Sequence, residues 1–140
     1  MTGYDPQNIF GKMLRGEIPA HRVYEDDDVL AIMDIFPQSR GHMLVLPKSP
    51  SRNFLDADPA VLSAVMPTVQ RLAKALMEAT KADGLRLMQF NEAVSGQTVF
   101  HLHFHLIPIY DGMDMRGHAG TAKADDAELA ALATAIQSRL

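Results

Sequence analysis

The chain has 140 residues, no cysteine and a formal net charge of −4, with 47% apolar and 21% charged residues. This length fits one domain with its own core, and the composition excludes disordered and fibrous proteins, a disulfide framework and a cysteine nucleophile. The acidic balance disfavours extended nucleic-acid binding, although a small anionic ligand needs only local hydrogen-bond donors.

The N-terminal part of the chain reads as one short helix followed by a hairpin. Ile9 to Leu14 suits a short helix, and the stretch 16–19 ends it, because a residue that precedes proline favours extended geometry. Residues 23–25 and 29–34 are rich in β-forming side chains. They flank the acidic stretch 26–28, so we expect two strands joined by a solvated turn.

A mostly apolar strand at 42–46 comes before the main helix. Asp58 caps the free N–H groups of a helix start, and Pro59 fits its first turn. Apolar residues recur at helical spacing from 61 to 76, which predicts one face packed against a sheet. Pro67 lacks a backbone donor and clashes with the preceding turn, so we expect a kink or a change of helix just before it.

Two further strands and a last helix complete an α+β pattern. Gly84 is expected to close the helical stretch, and strands follow at 85–90 and 99–110 with a polar turn between them. Asp125 caps a last short helix that extends to Leu140. Several connections are too short for crossover helices, so about five antiparallel strands with one main helix on a face are expected.

The residues that carry chemistry alternate histidine and hydrophobe at 101–106. The two-residue period of a strand sends His101, His103 and His105 to one face. Imidazoles held side by side repel one another's protonated forms, which lowers their pKa and keeps at least one of them neutral and nucleophilic. Three histidines in alternation cost too much desolvation to serve as packing alone.

Two kinds of site fit this spacing, a histidine nucleophile and a metal centre. Alternate histidines on a strand can bind one zinc ion, with His105 or His42 as the third ligand, and the spacing alone does not separate the two. Gly96, Gln97 and Thr98 directly precede the histidines, and a glycine turn followed by a hydroxyl can offer donors to a phosphate oxygen. This anion pocket favours phosphoryl chemistry.

The segment His101-Leu102-His103-Phe104-His105-Leu106-Ile107 resembles the signature of the histidine triad (HIT) family. The resemblance runs from Asn8 to about Pro108. It implies a HIT-like fold in a single domain of residues 1–140, with a core at about 8–110 and a C-terminal tail at 111–140. Further blocks resemble the family in the same order, at 8–10, 16–20, 23–26, 34–35, 41–48, 91–92 and 96–99.

The resemblance implies a hydrolase that acts at the α-phosphate of a nucleotide without a cofactor. In this family the middle histidine, here His103, attacks the α-phosphorus and forms a nucleotidyl-histidine intermediate that water hydrolyses. His105 would bind the α-phosphate or the leaving atom, while His101 and His42 would orient the nucleophile. The expected substrates are nucleoside phosphoramidates, adenylated amines or dinucleoside polyphosphates.

Recognition of the nucleotide is implied for a second group of residues. Asp34 would accept hydrogen bonds from the ribose hydroxyls, and Ile35 would pack near the base. His21 and His118 match no position of the family, so we expect them at the surface. The implied nucleotide-binding residues are Asp34, Ile35, Asn91, Gly96, Gln97 and Thr98.

A zinc site of the family's bacterial members is not expected. Many relatives carry a Cys-x-x-Cys pair near the start, completed by a histidine after a Pro-Lys pair and by the first triad histidine. The corresponding residues here are Asn8, Gly11 and Ser49 or Pro50, which leaves His101 as the one remaining ligand. The resemblance therefore implies that packing holds the N-terminal segment in place.

Two rival functions stay open: a metal-dependent hydrolase with His101, His103 and His105 as ligands, and a nucleotide-binding regulatory module with little turnover. The resemblance also implies a homodimer paired through the main helix and an edge strand. The first eleven residues do not resemble a signal peptide, and no apolar run approaches the roughly 18 residues that span a bilayer. We therefore expect a cytoplasmic protein with no membrane or nucleic-acid partner.

Overall fold

Five antiparallel strands form one sheet in the computed structural model, which describes residues 3–113 and 122–140. The order across the sheet is β1-β2-β3-β5-β4, so the first and fourth strands lie at its edges. The strands are β1 (Arg22–Glu25), β2 (Val29–Met33), β3 (Met43–Pro47), β4 (Gly84–Met88) and β5 (Phe104–Ile109). The predicted α+β class is confirmed.

Three α-helices accompany the sheet: α1 (Ile9–Leu14), α2 (Pro59–Thr80) and α3 (Asp126–Gln137). The side chains of Asn8, Asp58 and Asp125 cap them by accepting from backbone N–H groups of the first turns, as the capping chemistry of these residues predicts. None of the helices in the described part of the chain is long and apolar enough to cross a membrane.

Helix α2 continues through Pro67, so of the two predicted alternatives the change of helix is wrong, and the kink stays a prediction. Proline removes the hydrogen bond that a residue at this position would donate to the carbonyl of Ser63. Both residues lie on the exposed face of the helix, where water can bind that carbonyl instead. The opposite face carries the buried side chains that pack on the sheet, namely Val65, Val69, Leu72, Ala75 and Leu76.

Several element boundaries differ from the sequence prediction: β4 ends at Met88 rather than at residue 90, α3 ends at Gln137 rather than at Leu140, and two further differences are larger in effect. Lys81 caps α2 in the left-handed conformation and donates its N–H to Met77, so the helix ends before Gly84, which instead opens β4. The last strand begins at Phe104, and residues 99–103 form an irregular segment rather than the start of the predicted strand. This second difference decides where the histidines point.

The core lies on both faces of the sheet, which explains the continuous apolar run of β2. Alternate residues Val29, Ala31 and Met33 face α2 and α3, whereas Leu30 and Ile32 face α1. The predicted C-terminal tail contributes α3 to this core through Leu129, Leu132, Ala133 and Ile136. His118, expected at the surface, lies outside the described residues.

Candidate active site

A cavity of about 450 Å³ opens between α1, the end of β2 and the irregular segment before β5. Its volume lies within the range of small-molecule sites, roughly 300–1,000 Å³. Of the residues that the sequence singled out, those that line it are Asp34, Ile35, Thr98, His103 and His105. Most of the remaining wall is apolar, with Ile9, Phe10, Met13, Ile32 and Val99.

His103 lines the cavity, and a hydrogen bond to the backbone fixes the orientation of its ring. Its Nδ1 lies 2.6 Å from the backbone oxygen of His101, and a carbonyl oxygen only accepts hydrogen bonds. Nδ1 therefore carries the proton, and the basic lone pair of the neutral ring belongs to Nε2. The edge contact of Phe10, with ring centroids 4.8 Å apart, supports the imidazole from α1.

His105 presents the opposite tautomer to the same cavity. The backbone N–H of Gln38 donates to Nδ1 of His42 at 3.0 Å, so a neutral His42 carries its proton on Nε2. That Nε2 donates to Nδ1 of His105, also at 3.0 Å, which leaves the proton of a neutral His105 on its Nε2. The rings of His103 and His105 lie 4.9 Å apart, so one offers a lone pair and its neighbour a proton.

Asp34 lies directly after β2 and is 6% exposed. One carboxylate oxygen, Oδ1, accepts from the N–H of Phe36 at 2.8 Å. The other, Oδ2, lies 3.5 Å from Nε2 of His42. A carboxylate at this distance stabilises a proton on that nitrogen, which agrees with the tautomer that Gln38 imposes on His42.

His101 does not share the cavity with the other two triad histidines. It is fully buried, with Nε2 at 2.7 Å from the oxygen of Pro47 and Nδ1 at 2.7 Å from the hydroxyl of Tyr4. The prediction of one imidazole face is therefore wrong for this residue, because the segment before Phe104 is not a strand. Desolvation lowers the pKa of His101, against the opposing effect of the Pro47 carbonyl, so burial rather than a neighbouring imidazolium is the main cause.

Residues 15–112 match the family model of the HIT domain. This chain belongs to the HIT domain family. A crystal structure of a Hit-like protein involved in cell-cycle regulation from Bartonella henselae is similar, with 51% identity, a TM-score of 0.90 and coverage of 98% of this chain and 99% of that one. The histidine triad resemblance and the HIT-like fold are thus confirmed.

Two curated relatives extend this similarity. Protein hit of Bacillus subtilis is 35% identical over 135 residues, which cover 94% of this chain and 93% of that protein. Adenylylsulfatase HINT3 of Arabidopsis thaliana is 39% identical over 100 residues, or 71% of this chain. The matched segment spans about half of the Arabidopsis protein, 51% of its length.

In this HIT domain, backbone amides of the loop before Thr98 form hydrogen bonds within the protein. The amides of Gly96 and Gln97 donate to the carbonyls of Ala93 and Glu92. The prediction that this turn offers its backbone amides to a phosphate therefore needs correction for these two residues. Thr98 is the member of the motif that lines the cavity.

Gln97 and Asn91 brace the same loop with their side chains. The amide nitrogen of Gln97 donates to the carbonyl of Arg52 at 2.8 Å, and its oxygen accepts from the N–H of Glu92 at 2.8 Å. Asn91 accepts from the N–H of Phe54 at 3.0 Å. Neither residue is among those that line the cavity, and contact of the side chains of Asn91 and Gln97 with a phosphate stays a prediction.

The C-terminal segment adds a wall that the sequence did not reveal. Lys123 and Asp126 line the cavity, and the N–H of Ala124 donates to the carbonyl of Ile35 at 2.9 Å. His21, expected at the surface, also lines the cavity and lies 3.1 Å from Asp126. These contacts join residues about a hundred positions apart, so no local pattern could have indicated them.

The HIT domain does not assemble the metal centre of the rival hypothesis, because both ring nitrogens of His101 are bonded elsewhere. In the described part of the chain, a different group, Asp34, His42 and His105, brings three possible ligand atoms within 4.8 Å of one another. A metal on Nε2 of His42 would require a proton on Nδ1, which accepts from Gln38. The hydrogen bonds therefore favour a proton chain over a metal centre.

The positions that the family resemblance assigns to a zinc site do not fit a zinc ion here. The side chain of Asn8 is used to cap α1 by accepting from Gly11. A Cβ at Gly11 would lie 2.9 Å from the backbone oxygen of Pro6, so a cysteine ligand has no room there. His101 already bonds Tyr4 and Pro47 through its two ring nitrogens.

Proposed function

We propose that this HIT protein hydrolyses nucleotide conjugates at the α-phosphate through a nucleotidyl-histidine intermediate on His103. The proposal rests on the opposite tautomers of the two cavity histidines, a lone pair on Nε2 of His103 and a proton on Nε2 of His105. A nucleophile beside a proton donor is what displacement of a basic leaving group from phosphorus needs.

The reaction proceeds in two displacements at the same phosphorus. Nε2 of His103 attacks the α-phosphorus, and the bond from phosphorus to the leaving nitrogen or oxygen breaks with its electron pair. Nε2–H of His105 donates a hydrogen bond to that leaving atom, which takes up a proton from solvent as it departs. Water then attacks the same phosphorus, the bond to His103 breaks with its electron pair returning to Nε2, and the water releases a proton to solvent as the nucleoside monophosphate departs.

The backbone oxygen of His101 gains importance in the intermediate. Once Nε2 of His103 is bonded to phosphorus and Nδ1 keeps its proton, the imidazole ring carries a positive charge. A carbonyl oxygen 2.6 Å from that Nδ1 stabilises the charge, and a preformed dipole needs no reorganisation. The resting tautomer and the intermediate are thus supported by the same hydrogen bond.

Substrate recognition is proposed to follow the order of residues along the cavity. Asp34 would accept from the ribose hydroxyls, Ile35 and the apolar wall of α1 would hold the base, and Thr98 would donate to the α-phosphate. The Arabidopsis relative is an adenylylsulfatase, which supports an adenylyl group as the part of the substrate that is held. Adenylyl amines, adenylyl sulfate and dinucleoside polyphosphates are therefore the classes to assay.

The test is capture of the intermediate. Wild-type protein is mixed with adenosine 5′-phosphoramidate and quenched without acid, because phosphorus–nitrogen bonds hydrolyse in acid. We expect one adenylyl group on the peptide that contains His103, and His103→Ala should lower kcat by at least about 10³ while retaining binding of the monophosphate. An adduct on His101 or His105, or substantial activity of His103→Ala, would contradict the proposal.

A further inference from the structure

Tyr4 reaches the back of the active site from the start of the chain. Its hydroxyl lies 2.7 Å from Nδ1 of His101, and the two rings meet edge to face with centroids 5.6 Å apart. Nε2 of His101 must donate to the oxygen of Pro47, at 2.7 Å, so Nδ1 of the neutral ring is an acceptor. The hydroxyl of Tyr4 is therefore the donor, and this bond fixes the ring of a fully buried histidine.

The same residue holds the nucleophile through its backbone. The carbonyl oxygen of His101 accepts from Nδ1–H of His103 at 2.6 Å. Two hydrogen bonds thus connect the phenol of Tyr4 to the attacking imidazole by way of one residue. We propose that Tyr4 is a positioning residue for His103, because its hydroxyl locks the ring of His101 whose carbonyl orients the nucleophile.

The positioning role of Tyr4 agrees with the finding that the residues near the start of the chain do not fit a zinc ion. The N-terminal segment cannot be tied to the first triad histidine through a metal ion, since Asn8 caps a helix and Gly11 has no room for a side chain. The hydrogen bond from the hydroxyl of Tyr4 connects this segment to His101 instead. The segment contacts the nucleophile a second time through Phe10, whose ring centroid lies 4.8 Å from that of His103.

Loss of the hydroxyl should reduce catalysis rather than binding. Without it, Nδ1 of His101 is a buried acceptor with no donor from Tyr4, so the residue shifts to find one, and its carbonyl moves with it. A small misplacement of an attacking atom lowers the rate of a displacement strongly. Since Tyr4 is not among the residues that line the cavity, the affinity for a nucleotide should stay the same.

The experiment compares Tyr4→Phe with Tyr24→Phe. The second variant removes a hydroxyl that donates to Asp26 in the first hairpin, away from the cavity. The inference rests on the proposed function, so activity is measured with adenosine 5′-phosphoramidate well below the melting temperature of each variant. We expect Tyr4→Phe to lower kcat about tenfold with KM unchanged, and Tyr24→Phe to change neither.

Nitrogen-15 NMR of the histidine rings gives a readout that does not depend on activity. In the wild-type protein, His101 should show the Nε2–H tautomer, and Tyr4→Phe should shift its Nδ1 signal towards that of a lone pair that accepts no hydrogen bond. Asn8→Ala loosens α1 without touching either imidazole, so it should lower the melting temperature and leave the His101 signal in place.

The outcomes separate this inference from the proposed function. A shifted His101 signal with a tenfold lower kcat supports the positioning role. An unchanged signal refutes the hydrogen bond, and a shifted signal with normal kcat refutes the positioning role. Retained activity of His103→Ala would instead refute the proposed function and leave the NMR result unaffected.

Discussion

Replacing His105 by alanine separates the proton donor from the nucleophile. His105 carries its proton on Nε2 because its Nδ1 accepts from His42, which Gln38 holds in the required tautomer. The substitution removes that donor and leaves His103 with its hydrogen bond to the backbone of His101. The loss of activity should therefore depend on how strongly the leaving group needs a proton.

The expected magnitudes differ by leaving group. For an amine, loss of the hydrogen-bond donor to the leaving atom lowers kcat by about 10² to 10³, or roughly 3 to 4 kcal/mol of barrier. For p-nitrophenolate, which departs as a stable anion, the loss should stay below about tenfold. His42→Ala removes one buried hydrogen bond that selects the tautomer of His105, worth about 1 to 2 kcal/mol, so kcat for the amine should fall about 5- to 30-fold.

The assay measures kcat and KM for adenosine 5′-phosphoramidate and for the p-nitrophenyl ester of AMP. His103→Ala is the matched control, since loss of the nucleophile should abolish turnover of both substrates alike. Equal losses on the two substrates in His105→Ala would refute its role as the hydrogen-bond donor to the leaving atom. A larger loss in His42→Ala than in His105→Ala would refute the proton chain that the hydrogen bonds define.

Three further predictions follow from the site and the sheet edge. Asp34→Ala should raise KM more than it lowers kcat, because a ribose contact is similar in ground and transition states. With a 2′-deoxy substrate, KM should be the same for the variant and the wild-type protein. The purified protein should contain no zinc and keep full activity in chelator, so a stoichiometric metal retained through dialysis would contradict the account of the N-terminal segment. The protein should be a homodimer, as the edge strand β4 carries Leu87 with 55% of its surface exposed; a monomer in light scattering at micromolar concentration would count against this.

Local chemistry made much of the fold predictable. The caps at Asn8, Asp58 and Asp125 involve only neighbouring residues, and two of them, Asp58 and Asp125, could be identified from the sequence as helix starts. The error at Pro67 has the opposite origin, because the cost of a missing donor depends on whether water reaches the orphaned carbonyl. Exposure of one helix face is decided by the tertiary structure. The low helix propensity of proline alone therefore overestimated the disruption of α2 at Pro67.

The composition of the cavity was only partly predictable for the same reason. The alternation at 101–106 identified the histidines, yet it assumed a strand that begins only at Phe104. His21 joins the cavity through a partner on α3, and Tyr4 meets His101 across 97 positions. Such pairs are set by packing between distant elements, which a pattern within one segment does not contain.

The property on which the proposed chemistry depends is carried by two backbone groups. The N–H of Gln38 sets the tautomer of His42 and hence of His105, and the carbonyl of His101 sets the tautomer of His103. A backbone group is present whatever side chain occupies the position. The residue types at positions 38 and 101 therefore do not indicate this role in the sequence. The histidines mark where the site is, but the division between nucleophile and hydrogen-bond donor arises from how the main chain folds around them.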